Sequence, residues 1–418
     1  MPRITAFLLD AMGHIAHTVP VLQELRRRGH RAELTLVGDP TGAKEIGGIK
    51  VRRFALPPPR RLEQMAVSLP PTPTENFALY GAGTATLLEG AIARSRPDFI
   101  LIDPMLWGAL FTAEAKGISW GAIAYDPTYI RGREVDVRGP GYRPPRTVVG
   151  RTMHRVRGWV QEVMESETLD LMNDLRGRYE LPELRSRSEI CFLPPLTIAT
   201  TAEPFEYPRK DWPSSIRFVG PLSWEPPGEL PDWIRKPDDR PLILLAGSSV
   251  PKEGIGREWA RIVLEALEHE PYRIVATLPT EEVPPHIPAN ARIVRFLPHS
   301  KILPRTACVI CHGGLGITQK ALAAGVPVVA IPLAYEFEIA RRVEVAKAGV
   351  RIPARKLTAD RLRAGVRSAL SRKGGAERIA EAFRFAGGAP AAADAIEELL
   401  AAKSSTTSPA RACSTTSS

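Results

Sequence analysis

The sequence predicts an α/β protein built from doubly wound parallel sheets in two domains. Three observations carry that prediction. Short apolar runs alternate with amphipathic segments, the pattern of strands buried on both faces and crossed over by helices. A Pro-rich, polar stretch over residues 220–240 splits the alternation into two halves. The length of 418 residues suits two or three domains at roughly 100–200 residues each.

Each element has a local reason. Ile4–Leu9 is a short apolar strand, and Gly13 follows it. Val19–Arg28 carries Val21, Leu22 and Leu25 at helical spacing, and Arg26–Arg28 at its end suits the helix dipole. Gly29 stops that helix, and Ala32–Val37 is the next strand. The pattern recurs as strand Asp98–Asp103, helix Met105–Lys116, the stop Gly117 and strand Ile118–Tyr125. Beyond the linker, strands are expected at Leu242–Ala246, Arg273–Thr277, Ala291–Phe296, Ala307–Cys311 and Val328–Ile331. Helices follow at Thr358–Ser371, Gly375–Ala386 and Ala391–Ala402. Ser404–Ser418 is Ser/Thr-rich and reads as disordered. Pro-rich Leu56–Thr74 and Arg131–Arg157, with eight arginines, read as long irregular loops.

Composition excludes several classes. A hydrophobic fraction of 44% can build a large core, which rules out general disorder. Four cysteines, Cys191, Cys308, Cys311 and Cys413, cannot staple a chain this long and fit a reduced, cytoplasmic protein. No apolar run approaches the ~18–20 residues of a membrane helix. The N-terminal apolar run is cut by Asp10, so it is not a secretory signal. The net charge of +10 permits an anionic partner without choosing one. No nucleic-acid motif accompanies it, so no nucleic-acid partner is expected. The arginine run reads as a solvated basic loop, and membrane contact is not expected.

Two places could carry chemistry. At Cys311-His312-Gly313-Gly314-Leu315-Gly316-Ile317-Thr318 a strand runs into a Gly-rich turn, with a helix expected from Thr318. Free N–H groups and the positive dipole end there suit phosphates, and His312 could donate to a phosphate oxygen. A tight turn without a ligand explains the string equally well. It is neither a Walker loop nor a G-x-G-x-x-G fingerprint. Cys308-Val-Ile-Cys311-His312 matches the c-type haem pattern, but cysteines three apart on a strand face opposite ways, so both read as core. The second place is Gly13-His14, just beyond the first strand, where open α/β sheets bind ligands. His14 suits a general base. Asp103 ends another strand at the same edge and could fix its tautomer. Taken separately, a surface histidine and a helix-capping aspartate explain these two residues as well. His17 reads as filler at a helix start, and His30 as packing in the turn after the first helix.

Three blocks together resemble a family. Gly13-His14-Ile15 through Arg28-Gly29-His30, Arg217-Phe218-Val219-Gly220-Pro221-Leu222, and Phe296-Leu297-Pro298-His299 through His312-Gly313-Gly314-Leu315-Gly316 to Ala324-Gly325-Val326-Pro327 are similar to signatures of inverting GT-B glycosyltransferases, those of bacterial macrolide and antibiotic biosynthesis above all. The resemblance implies two Rossmann-like domains facing across a cleft. An acceptor domain over 1–219 and the linker 220–240 would precede a nucleotide-sugar domain over 241–386. A helix over 387–403 would cross back to the first domain, ahead of the tail 404–418. It makes His14 the base and Asp103 its partner. It places the donor against Gly13, Gly247, Ser248, Ser249, Phe296, Leu297, His312, Gly314, Gly316, Ile317, Tyr335 and Glu336. It implies no metal and no other cofactor, with a nucleotide-sugar and a hydrophobic small-molecule acceptor as partners. Three positions depart from the family pattern. Tyr335-Glu336 stands for its acid–amide pair, Ile317 for a small hydroxyl residue, and Lys320 for the glutamate that often holds ribose hydroxyls. An ammonium cannot accept from a hydroxyl, which matters least for dTDP, so a dTDP-deoxysugar is the expected donor. A UDP-hexose enzyme acting on a lipid or small molecule, and a non-catalytic binding protein of the same fold, remain alternatives.

Overall fold

The first domain is an eight-stranded sheet in the order β3-β4-β2-β1-β5-β6-β7-β8. Its strands are β1 (Arg3–Leu9), β2 (Arg31–Val37), β3 (Glu45–Ile46), β4 (Ile49–Phe54), β5 (Phe99–Ile102), β6 (Ser119–Ala124), β7 (Thr197–Ala199) and β8 (Ile216–Phe218). All pair in parallel except the β3–β4 hairpin. The second sheet is fully parallel, in the order β11-β10-β9-β12-β13-β14. It contains β9 (Leu242–Ala246), β10 (Arg273–Thr277), β11 (Ala291–Val294), β12 (Thr306–Cys311), β13 (Val328–Ala330) and β14 (Gly349–Arg351). This computed structural model describes residues 1–55, 81–125, 141–164, 166–236, 238–247, 255–333 and 336–406.

Helices cover both faces of each sheet, so the central strands are buried throughout. They are α1 (Met12–Arg27), α2 (Ala82–Ser95), α3 (Trp107–Ala115), α4 (Val148–Met164) and α5 (Ser166–Arg178) in the first domain. The second domain has α6 (Ile255–Leu267), α7 (Leu315–Ala323), α8 (Phe337–Val345), α9 (Ala359–Leu370) and α10 (Lys373–Phe385), and α11 (Gly388–Thr406) ends the described chain. Cys308 and Cys311 fall into separate cores on opposite faces of β12. Burial pushes their thiols up to about 12 and about 11, so both are inert packing groups.

Some expected boundaries move. Helix α1 begins at Met12, seven residues before the expected start, and takes Gly13 and His14 into its first turn. The helix continues through Pro20 because Ile15, Val19 and Leu22 extend one apolar stripe past it into the core. Helix α7 likewise starts at Leu315 rather than Thr318. The expected loop Arg131–Arg157 is helical from Val148; its arginines masked an amphipathic period, and residues 126–140 lie outside those described. The stretch 220–240 is well packed. Leu222 joins the first domain's core, while Leu230 and Ile234 join the second's.

Several contacts among the described residues join the halves. Helix α11 returns to the first domain, where Ala392, Ala393 and Ile396 pack into its core beside α1. Arg28 reaches Asp394 at 2.6 Å and Glu397 at 2.7 Å, and His30 meets Glu397 at 2.7 Å. His30 therefore ties α11 down rather than filling a turn. Across the domains, buried Arg342 on α8 pairs with buried Glu206, and Gln319 on α7 donates to the Thr200 carbonyl at 2.9 Å.

Helix α11 is the natural place to test this join. Ile396→Ala removes a fully buried side chain. It should cost about 2–5 kcal/mol and lower the urea midpoint of the first domain. An unchanged midpoint would show that α11 contributes no stability there.

Candidate active site

In the first sheet the chain leaves β1 for β2 on one side and returns to β5 on the other. The second sheet reverses in the same way between β9 and β12. Crevices at the carboxyl ends of such reversal points are where open α/β sheets bind ligands. His14 follows β1 and Asp103 follows β5; Gly247 follows β9 and His312 follows β12. The pairs expected from sequence thus sit at the two reversal points.

The first constellation is built around Asp103, which is fully buried. Its Oδ1 accepts the Met105 amide at 2.9 Å and the Tyr125 hydroxyl at 3.0 Å. Its Oδ2 accepts the Leu9 amide at 3.3 Å and a short hydrogen bond from His14 Nδ1. Burial opposes charge on this carboxyl. The neighbouring His14 ring and these donors outweigh burial and hold it below the usual carboxylate range. A carboxylate only accepts, so Nδ1 carries the proton and Nε2 is the basic nitrogen. The His14 side chain keeps 13% of its surface exposed.

Tyr125 was not singled out in the sequence. Its hydroxyl lies 3.0 Å from His14 Nδ1, and the two rings sit 4.2 Å apart between centroids. The signal was available, because Tyr125 closes the strand beside Asp103's and reaches the same edge. His17 also differs from expectation. It is buried against the Tyr125 ring, with Nδ1 3.3 Å from the Thr200 hydroxyl. Burial, then the nearby Lys320 charge, lowers its pKa to about 3, so it is a neutral core histidine.

At the second reversal point, β12 runs into Gly313 at φ +82°, and α7 opens at Leu315 with Gly314 before it. Gly314 lies against the buried His312 ring, which a Cβ there would strike at 2.4 Å. Nothing stands within 4 Å of a Cβ placed on Gly316, nor on Gly13 across at α1. The backbone is open at both points, as close approach of a ligand requires. Ile317 is half-buried against the inner core. Gly313 also sits beside Glu336, which precedes α8. Gly247 lies under Leu278 and the buried carboxylate of Glu282. Phe296 is half-exposed beside Gly228, whereas the Leu297 side chain belongs to the core, so only its backbone can face a ligand. Ser248, Ser249 and Tyr335 lie outside the described residues.

Lys320 has a specific partner that the sequence did not suggest. Glu225 of the linker stretch meets its ammonium at 2.6 Å and accepts the amides of His299 at 3.2 Å and Ser300 at 3.0 Å. Burial raises Glu225, but Lys320 and those amides prevail and keep it ionised. Burial and Lys320 lower His299 to about 4, leaving it neutral against the Thr277 hydroxyl at 3.1 Å.

The two neutral histidines set an acid limit. A histidine with a depressed folded value is protonated first in the unfolded chain, so stability falls as pH drops from about 6.5 towards the folded value. For His17, with its folded value near 3, the loss from pH 7 to pH 5 should be about 2 kcal/mol. His17→Gln should flatten the urea midpoint over that interval, and an unaltered slope would contradict a buried neutral His17.

The sequence and the fold are similar to those of known proteins. Residues 261–399 match the family described as Erythromycin biosynthesis protein CIII-like, C-terminal domain. The 4'-demethylrebeccamycin synthase of Lentzea aerocolonigenes is 30% identical over 394 residues, spanning 88% of this chain and 91% of that protein. Demethyllactenocin mycarosyltransferase of Streptomyces fradiae is 27% identical over 429 residues, 96% of this chain and 87% of that one. The fold matches the crystal structure of the glycosyltransferase VinC in complex with DTDP at a TM-score of 0.67 and 21% identity, covering 96% of this chain and 100% of that one. The chain belongs to the antibiotic-type glycosyltransferases of GT-B fold.

Proposed function

We propose that this glycosyltransferase moves a deoxysugar from a dTDP-sugar to a hydroxyl of a hydrophobic natural-product aglycone, with inversion at the anomeric carbon. The observation that carries the proposal is the His14–Asp103–Tyr125 constellation at the first reversal point. His14 Nε2 takes the proton of the acceptor hydroxyl while that oxygen attacks the anomeric carbon. The bond from that carbon to the diphosphate breaks, and its electron pair leaves with the phosphate oxygen. Attack opposite the leaving group inverts configuration. Asp103 stabilises the imidazolium that forms on His14. The amides opening α7, together with His312, face the charge that grows on the diphosphate. Gly13, Gly314 and Gly316 leave room for the reacting groups.

Support for a dTDP donor comes from Lys320. Its ammonium offers no acceptor to a ribose 2′-hydroxyl, and the adjacent Glu225 carboxylate already holds three donors. The mycarosyl group named for one relative and the DTDP named for the fold neighbour are consistent with that reading. Glu336 is the remaining carboxylate for sugar hydroxyls, with Tyr335 beside it in sequence.

His14→Ala should lower transfer by about 10²–10⁴-fold while calorimetric dTDP binding stays intact. Equal turnover would overturn the mechanism, and binding of neither dTDP nor UDP would favour a non-catalytic protein. Tyr125→Phe removes one hydrogen bond to a charged group and should cost about tenfold in kcat with KM little changed. A loss confined to KM would assign Tyr125 to acceptor binding instead.

A further inference from the structure

Helix α4 is turned the opposite way from an ordinary surface helix. Its inward residues are small or polar: Gly150, Arg151, His154 and Gly158 are buried or half-buried. Its outward face is apolar. Val149, Met153, Val156, Val160 and Val163 recur at spacings of four, three, four and three, which aligns them on one stripe. Trp159 and Met164 widen the stripe, and these seven side chains are between 43% and 79% exposed. No other described helix exposes such a row. A contiguous apolar surface of this kind marks an interaction site rather than random exposure.

The charges beside the stripe identify its occupant. Arg155 and Arg157 flank it on opposite sides at helical spacing, and Arg146 precedes it. Glu162 is the lone acid between Gly141 and Met164. Arg157 also stacks over Tyr142 at 4.3 Å, holding an aromatic ring at the helix entrance. An apolar face bearing tryptophan, bordered by arginines and almost free of acids, is the pattern of a helix lying in the plane of an anionic membrane surface. We propose that α4 docks this protein on an anionic lipid bilayer by its Val149–Met164 face. The segment expected to be a solvated basic loop is helical from Val148, which is what aligns the apolar stripe. Docking there leaves the cleft reachable from the bilayer, since Gly141 just before α4 accepts a hydrogen bond from Arg341 of the donor domain at 2.7 Å. A hydrophobic acceptor dissolved in the membrane could then enter without crossing water.

The test is co-sedimentation of the full chain with phosphatidylcholine vesicles, with and without phosphatidylglycerol. Binding should require phosphatidylglycerol and weaken as salt rises. The double variant Val156→Glu/Trp159→Glu should bind at least about tenfold more weakly, with an unchanged circular-dichroism spectrum. Phe385→Glu, which alters an exposed apolar residue on α10, should bind like the unaltered protein. Three results would overturn the proposal: no binding to anionic vesicles, equal binding by the double variant, or a solution dimer that the double variant dissociates. The last would make a second copy of the chain the occupant.

Discussion

One buried charge organises the reversal point of the first sheet. A carboxylate with no exposed surface is costly unless every lone pair finds a donor. Asp103 finds four, from three separate strand ends and one helix. Leu9 closes β1, Met105 follows β5, Tyr125 closes β6, and His14 sits in the first turn of α1. Their convergence fixes how far the three strands run and where α1 begins. The sheet order makes it possible, because β5 lies between β1 and β6 and all three point the same way. The charge that fixes the histidine tautomer is thus also a constraint on the fold.

The reversal point of the second sheet is organised by absence of bulk. Gly313, Gly314 and Gly316 keep side chains away from the turn between β12 and α7, while His312 and Glu336 close in around it. The linker then contributes an acid where α7 carries a base. Glu225 fastens Lys320 to the amides that open the one-turn helix at His299. The stretch joining the domains is therefore part of the wall beside α7, and its position is coupled to any movement there.

Much of this was legible in the sequence, and the failures have physical causes. Short continuous apolar runs located β1, β5, β9 and β12, because strands buried on both faces admit few polar residues. His14 and Asp103 could be placed at one edge because parallel strands share an end. The early start of α1 was hidden by Pro20, whose local penalty is overridden by burial of Ile15, Val19 and Leu22. Tyr125 is legible by the same rule, because its strand ends at the same edge as Asp103's. Glu225 is not, because its role depends on a partner 95 residues away that no local pattern encodes. Helix α4 was misread because its charge density was weighed before its spacing.

The two halves are held by groups that differ in kind, and the difference bears on how the cleft can work. Helix α11 buries apolar side chains in the first domain and adds charges that are partly exposed to water. That joint resists separation but tolerates rotation, because burial has no directional preference. Glu206 and Arg342 form a buried ion pair, supported by the Thr201 hydroxyl at 3.0 Å and the Tyr207 ring at 5.1 Å. Such a pair resists sliding, because displacing either charge would leave the other uncompensated. Arg342 stands on α8, whose first turn follows Glu336, while Glu206 follows β7 of the first domain. The rigid contact thus lies between the two sheets, and the compliant one lies along the outer helix. Motion of one domain against the other would pivot about the Glu206–Arg342 pair instead of displacing it.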